Sequence, residues 1–194
     1  MKARVLPITM KLVHPTTDYL PGFIAALERD WSPDTNRGAD AAREILEALR
    51  TAPARYLENL VDREAKGPPI VLPDGTTVRR LPGYTYWLWD GEFCGSINFR
   101  WQPGTPELPP TCLGHVGYAV VPWKRRLGYA TDALRQLLPL IKQEGLPYIE
   151  ITTDETNHAS QRVITANDGL LVERFLKPAS QGSKPALRYR IALQ

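Results

Sequence analysis

The sequence predicts a mixed α/β fold with an antiparallel hairpin, a parallel strand–helix–strand unit and two closing strands. Three observations lead there. Aromatic runs at 84–89 and 93–101 flank Asp90-Gly91, a strong short signal for a β-hairpin. The apolar run 114–121 feeds an amphipathic helix and then a β-branched run at 148–153, a succession that implies a right-handed crossover and parallel pairing. Two more strand-like runs, 172–176 and 187–193, close the chain across a Ser/Gly/Pro loop.

In order, residues 4–13 alternate weakly and read as a first strand. Thr17-Asp18 offers an N-cap for a helix near 18–30. The run 41–49 is strongly helical, and a shorter helix spans 54–65 with Pro53 in its first turn. Segment 67–83 is rich in Pro and Gly and holds the turn signal Pro73-Asp74-Gly75, so it reads as a loop with a small hairpin. In the main hairpin, taking Asp90-Gly91 as a two-residue turn places Leu88 opposite Phe93 and Tyr84 opposite Ile97. Tyr84, Tyr86, Leu88, Phe93, Ile97 and Phe99 then share a core face, joined by Trp101. Trp87, Trp89, Asn98 and Arg100 share a mixed face toward a second layer or a cleft. Residues 102–113 hold four prolines and read as an irregular loop. The next helix runs to Glu144, with Ala130, Ala133, Leu134, Leu137, Leu138 and Ile141 on one stripe and Gly145 as its stop. Pro139 inside it removes a hydrogen bond and predicts a kink or a packing compensation. A short helix at 157–167 follows the 148–153 strand.

The 194 residues, 43% apolar and 23% charged, suit one domain over 1–194 with a proper core. The net charge of +3 is spread along the chain, which fits an anionic small ligand and not a nucleic-acid footprint. Two cysteines without CxxC spacing and three separated histidines support no disulfide framework and no metal site. The N-terminal residues hold no long apolar stretch, so no membrane span or secretory signal is expected and a cytoplasmic protein is the default.

The segment from Tyr118 to Thr131 is the most informative. An apolar strand enters a basic loop with one glycine and then a helix. Such a loop points backbone N–H groups at one spot before a helix N-terminus, a ready site for phosphate or pyrophosphate. Arg125 and Arg126 add charge-assisted donors. The pattern Arg125-x-x-Gly128-x-Ala130 arises by chance about 0.2 times in a chain this long. Its specificity comes from the strand before it, the helix after it, and the second strand leading to Asn157-x-x-Ser160. The Gly-rich signatures of P-loop and dinucleotide folds are absent.

With these residues the stretch 114–169 resembles the GNAT superfamily of acyl-CoA N-acyltransferases. The loop Arg125–Ala130 looks like that family's pyrophosphate motif, and 151–160 like the end of its splayed strand and the start of the next helix. The likeness covers most of residues 84–193, with a CoA-binding core at about 84–175; residues 1–83 match in element order only. It implies a mostly antiparallel twisted sheet with helices on both faces and a central, splayed parallel strand pair, with acetyl-CoA as the co-substrate and no metal. The implied reaction is direct transfer to an amine acceptor, a small molecule or a peptide, by a monomer or homodimer. It also assigns cofactor contacts. The pantetheine arm pairs with the backbone at Ala119 and Val120. The pyrophosphate lies on the N–H groups of Arg126, Leu127, Gly128, Tyr129 and Ala130, with charge from Arg125 and a hydroxyl from Thr131. Asn157 bonds the pantetheine chain, and Ser160 touches the cofactor; both also read as plain helix-capping residues.

The proton-moving groups depart from the family pattern. The usual tyrosine acid, seven residues after the asparagine, is replaced by Ile164. The usual glutamate base at the start of the motif strand is replaced by Gly114-His115. His115 has an unperturbed pKa suited to a base, or is a surface histidine at a strand start. Asn98 and Arg100 contact the acceptor or are solvated strand positions. Two readings therefore stand, an N-acetyltransferase and a domain that holds acyl-CoA without turnover. A nucleotide-binding protein using the same loop is a third.

Overall fold

The computed structural model describes residues 9–72 and 75–193. Strand β1 (Lys11–Val13) is followed by helices α1 (Leu20–Leu27), α2 (Ala39–Thr51) and α3 (Pro53–Asn59). The short strands β2 (Val61–Asp62), β3 (Ile70–Val71) and β4 (Thr77–Val78) lead to the long hairpin β5 (Gly83–Trp89) and β6 (Phe93–Arg100). Then come β7 (Val116–Val120), α4 (Tyr129–Lys142), β8 (Tyr148–Asp154), α5 (His158–Thr165), β9 (Leu170–Leu176) and β10 (Pro185–Ala192). Residues 4–8 of the expected first strand, and Pro73 and Asp74 of the expected turn, lie outside the described residues.

Helices α1 and α3 are shorter than the sequence predicts. Helix α1 begins at Leu20 behind Tyr19, without the expected Thr17-Asp18 cap. Helix α3 stops at Asn59 because Val61–Asp62 leaves to pair with β5. Pro139 is accommodated inside α4 on its exposed side, between the buried Leu137 and Ile141. Packing of those apolar neighbours compensates for the lost hydrogen bond.

The strands form two main sheets. One runs β1-β5-β6-β7 with β2 on β5; the other runs β8-β10-β9. One apolar core fills the space between both sheets and helices α4 and α5, and includes Leu88, Ile97, Leu134, Leu137, Ile149 and Ile164. A second core lies on the opposite face of the first sheet, under α1 to α3, with Phe23 stacked on Trp87 at 4.7 Å. Helices thus cover both faces, as expected.

The hairpin register differs from the expected one. Phe93 pairs with Trp89, Leu88 with Gly95 and Tyr84 with Phe99. The tip is one residue longer than Asp90-Gly91, and Cys94 is an extra residue that makes a β-bulge. Gly95 carries it at φ +147°, and a Cβ there would lie 2.2 Å from the Ala119 carbonyl oxygen. The bulge turns Phe93 away from Tyr84 and into the second core, 5.4 Å from Phe23 and 5.2 Å from Trp31. Tyr84, Tyr86 and Phe99 pack on the first core, as expected.

Replacing Gly95 with alanine combines a strained φ with a clash against β7. Urea unfolding of Gly95→Ala is expected to show a loss of about 3 kcal/mol; a loss under about 0.5 kcal/mol would contradict the bulge.

Candidate functional site

Strands β7 and β8 stand at facing edges of the two sheets. Where parallel pairing was expected, they share no ladder among the described residues. They touch at their base, where the His115 N–H donates to the Glu150 carbonyl (2.7 Å) and the Glu150 N–H donates to His115 Nδ1 (2.9 Å). Beyond that point the edge of β7 facing β8 is bare, so backbone groups along Ala119 and Val120 are available to an added extended chain. Ala119 is buried against Ser96 and Val120 lies opposite the Gly95 bulge. Across the gap the Tyr118 hydroxyl meets Ser160 Oγ at 2.8 Å.

The basic loop continues from the end of β7. A 3₁₀ turn at Pro122–Lys124 is followed by Arg125, Arg126, Leu127 and Gly128, all exposed. Arg126 and Gly128 adopt left-handed conformations, φ +65° and +82°. Alternation of this kind gathers successive N–H groups into a concavity that suits an anion. No side chain caps α4, and the first N–H groups of a helix have no partner within it. Nothing lies within 4 Å of where a Gly128 Cβ would be, so glycine is required here for its φ, and the space above it is open. Unclaimed donors, a positive helix end, two arginines and open space fit a pyrophosphate. The Arg125 side chain folds back, its Nε donating to the Val120 carbonyl (3.3 Å).

Asp90, read from the sequence only as a turn former, is 8% exposed beneath this loop. Its carboxylate accepts from the Tyr129 hydroxyl (2.6 Å) and from Lys124 Nζ (3.0 and 3.2 Å). Burial alone would raise the Asp90 pKa, but these donors outweigh it and hold the group below its ordinary value. The same bond, helped by burial, pushes the Tyr129 hydroxyl up to about 12. Asn167 braces the other side of the helix start, donating from Nδ2 to the Thr131 carbonyl (3.2 Å). Neither Asp90 nor Asn167 carried a sequence signal beyond a turn and a helix end.

The remaining expected residues separate. Asn157 is the N-cap of α5, its Oδ1 accepting from the Ser160 N–H (3.1 Å). Ile164 is fully buried in the first core. His115, the expected base, is also fully buried, and Phe99 stacks on it at 6.4 Å. With Nδ1 accepting from the Glu150 N–H, the neutral ring carries its proton on Nε2. No lone pair of the ring faces solvent, and full burial corrects the alternative expectation of a surface histidine. Asn98 and Arg100 lie beside Gly117 on the face expected to front a cleft; Asn98 Oδ1 is buried without a partner, and Arg100 Nε donates to the Gly114 carbonyl (3.0 Å).

A polar recess of about 350 Å³ opens between the 107–113 loop and the outer face of the second sheet. Its walls include Glu107, Cys112, Tyr148, Glu150, Arg188 and Arg190. Arg190 Nη2 pairs with Glu150 at 2.7 Å and stacks its guanidinium over Tyr148 at 3.9 Å. No group of side chains among the described residues suits a metal ion, and no helix there is long and apolar enough to cross a membrane.

Comparison with known proteins is consistent with this geometry. Residues 73–168 match the family model described as an acetyltransferase (GNAT) domain. A search of curated proteins finds no match. Among solved structures the chain is similar to RimL, a ribosomal L7/L12 alpha-N-protein acetyltransferase in complex with coenzyme A (TM-score 0.61, 13% identity, 96% of each chain). It is also similar to MccE, a microcin C7 self-immunity acetyltransferase in complex with acetyl-CoA and AMP (TM-score 0.58, 11% identity, 94% of this chain and 92% of that one). A third is the Salmonella typhimurium acetyl transferase that modifies the N-terminal serine of 50S ribosomal subunit protein L7/L12 (TM-score 0.59, 12% identity, 96% of each chain). At these identities the likeness is one of fold.

Burial lowers the His115 pKa below its ordinary value. The unfolded chain, with a histidine pKa of about 6.5, therefore takes up this proton first as the pH falls. The stability held by the neutral ring is complete above about pH 6.5 and is lost as the pH falls through the window below it. Urea midpoints measured from pH 8 to pH 5 should fall less steeply for His115→Gln than for the wild type; equal slopes would mean that the ring is not held neutral.

Proposed function

The chain belongs to the GNAT acetyltransferase family through its domain over residues 73–168, and on that premise we propose that it moves an acetyl group from acetyl-CoA to a primary amine of a small molecule or peptide by direct transfer. The observation that carries this reading is the bare β7 edge leading straight into an open cradle of backbone N–H groups. Acetyl-CoA, when bound, supplies a thioester whose carbonyl carbon takes the amine nitrogen and whose sulfur leaves. The chain's own residues bind and orient. N–H groups of Arg126 through Ala130 hold the pyrophosphate, with charge from Arg125 and a hydroxyl from Thr131. The edge at Ala119 and Val120 aligns the pantetheine arm. The outward side of the α5 start, at Asn157 and Ser160, closes over it.

With Ile164 in the core, the hydroxyl pair that spans the gap, Tyr118 and Ser160, takes the place of the missing acid. Burial pushes the Tyr118 hydroxyl up to about 12, against the opposing effect of its Ser160 bond. It therefore keeps its proton at neutral pH and donates a hydrogen bond where negative charge develops on the leaving sulfur. The attacking amine gives its proton to water. Asn98, Arg100 and the recess under the 107–113 loop provide the acceptor's surroundings.

A second reading, a domain that holds acyl-CoA without turnover, is favoured by one observation: neither the usual acid nor the usual base is in place. Calorimetry with acetyl-CoA together with a thiol-release assay over an amine panel separates the two. Amine-dependent thiol release is expected, with kcat about tenfold lower or more in Tyr118→Phe and Ser160→Ala and a smaller change in acetyl-CoA KM. Firm acetyl-CoA binding with no release above hydrolysis favours the second reading. Tight ATP binding without CoA binding sinks both.

A further inference from the structure

Both ends of the exposed loop hang on one buried carboxylate. Lys124, the last residue before it, donates to both oxygens of Asp90 and also to Glu92 (3.0 Å). Tyr129, the first residue after it, reaches back to Asp90 Oδ2 at 2.6 Å. Asp90 is itself held in place: its Oδ1 accepts from the Glu92 N–H (3.2 Å), at the tip of the hairpin whose bulge presses on β7. Between these anchors the four residues 125–128 are exposed, and two of them sit at positive φ. A loop with so little packing of its own relaxes unless its ends are fixed, and the ordering cost is then paid at binding. Lys124 belongs to a basic run that reads as phosphate-binding, yet its ammonium donors are turned inward to two carboxylates. Its charge is spent on the clasp and not on a ligand.

We propose that Asp90 is a positioning residue for the cofactor: by clasping Lys124 and Tyr129 it sets residues 125–128 in the conformation that receives the pyrophosphate before any ligand arrives. This rests on the acyl-CoA reading above. Asp90 touches no ligand; it acts through the loop's ends. Asparagine suits the hairpin tip as well as aspartate does, so Asp90→Asn removes the clasp's charge and keeps the turn. Tyr129→Phe removes one arm and keeps the ring.

The test combines calorimetry with CoA and amide hydrogen exchange of the ligand-free protein. Both variants are expected to lose about tenfold or more in CoA affinity, with faster exchange confined to the hydrogen-bonded amides at the loop's two ends, those of Lys124, Arg125 and Asp132. Either of two results overturns the proposal: CoA affinity within about twofold of wild type in both folded variants, or faster exchange throughout the protein with no excess at these amides, which marks general destabilisation. If Asp90→Asn does not fold, Tyr129→Phe alone decides. Failure of the wild-type protein to bind CoA at all would overturn the acyl-CoA reading, a result distinct from either of these.

Discussion

Two hydrogen bonds between His115 and Glu150 hinge β7 to β8, and past this hinge each strand stays with its own sheet. β7 has its ladder to β6 on one side and β8 has its ladder to β10 on the other. A continuous sheet would satisfy the facing edges with each other; here they are left bare over the length of β7. Bare backbone is costly when buried and useful when a ligand supplies the missing partners. The apolar core shared with α4 and α5 packs against both sheets where the two strands part. The buried His115 ring belongs to this hinge. Its Nδ1 stands in for a backbone acceptor, which makes it structural mortar where a base was expected.

The mouth of the gap is shaped by a second constraint, the contact between the β6 bulge and β7. Gly95 lets β6 press its backbone against Ala119, and the same bulge sends Phe93 to the opposite core. The hairpin tip lies against the start of α4, where Asp90 engages Lys124 and Tyr129. On the far side, Asn167 ties the end of α5 to Thr131, so the helix start is held from both sheets' flanks.

Much of the framework was legible in the chain. Strand-to-loop-to-helix at 114–142 shows in the change from a continuous apolar run to an i, i+3, i+4 stripe around a lone glycine, because those periodicities are local properties of the backbone. Asn157 as the start of α5 is legible for the same reason. The hairpin register was not. Gly95 inside an aromatic run is a local sign of a bulge or a close backbone approach, but it does not say which register the strands take on either side of it. Asp90 was visible as a turn residue, and nothing around it in sequence pointed to partners 34 and 39 residues away. Tyr118, one apolar-looking position in a strand, acquired its partner Ser160 only when the two sheets diverged.

By itself, then, the sequence determined the fold class, the order of elements and the anion-receptive turn, all of which depend on side-chain periodicity and on backbone preferences within a few residues. Tertiary structure alone decided which polar side chains face one another across the gap. It took His115 out of solvent, put Ile164 in the core, left Tyr118 and Ser160 together, and gathered Lys124 and Tyr129 onto Asp90. Proton chemistry and loop positioning depend on such distant encounters, because a hydrogen bond is made at about 3 Å and separation along the chain does not encode distance in space.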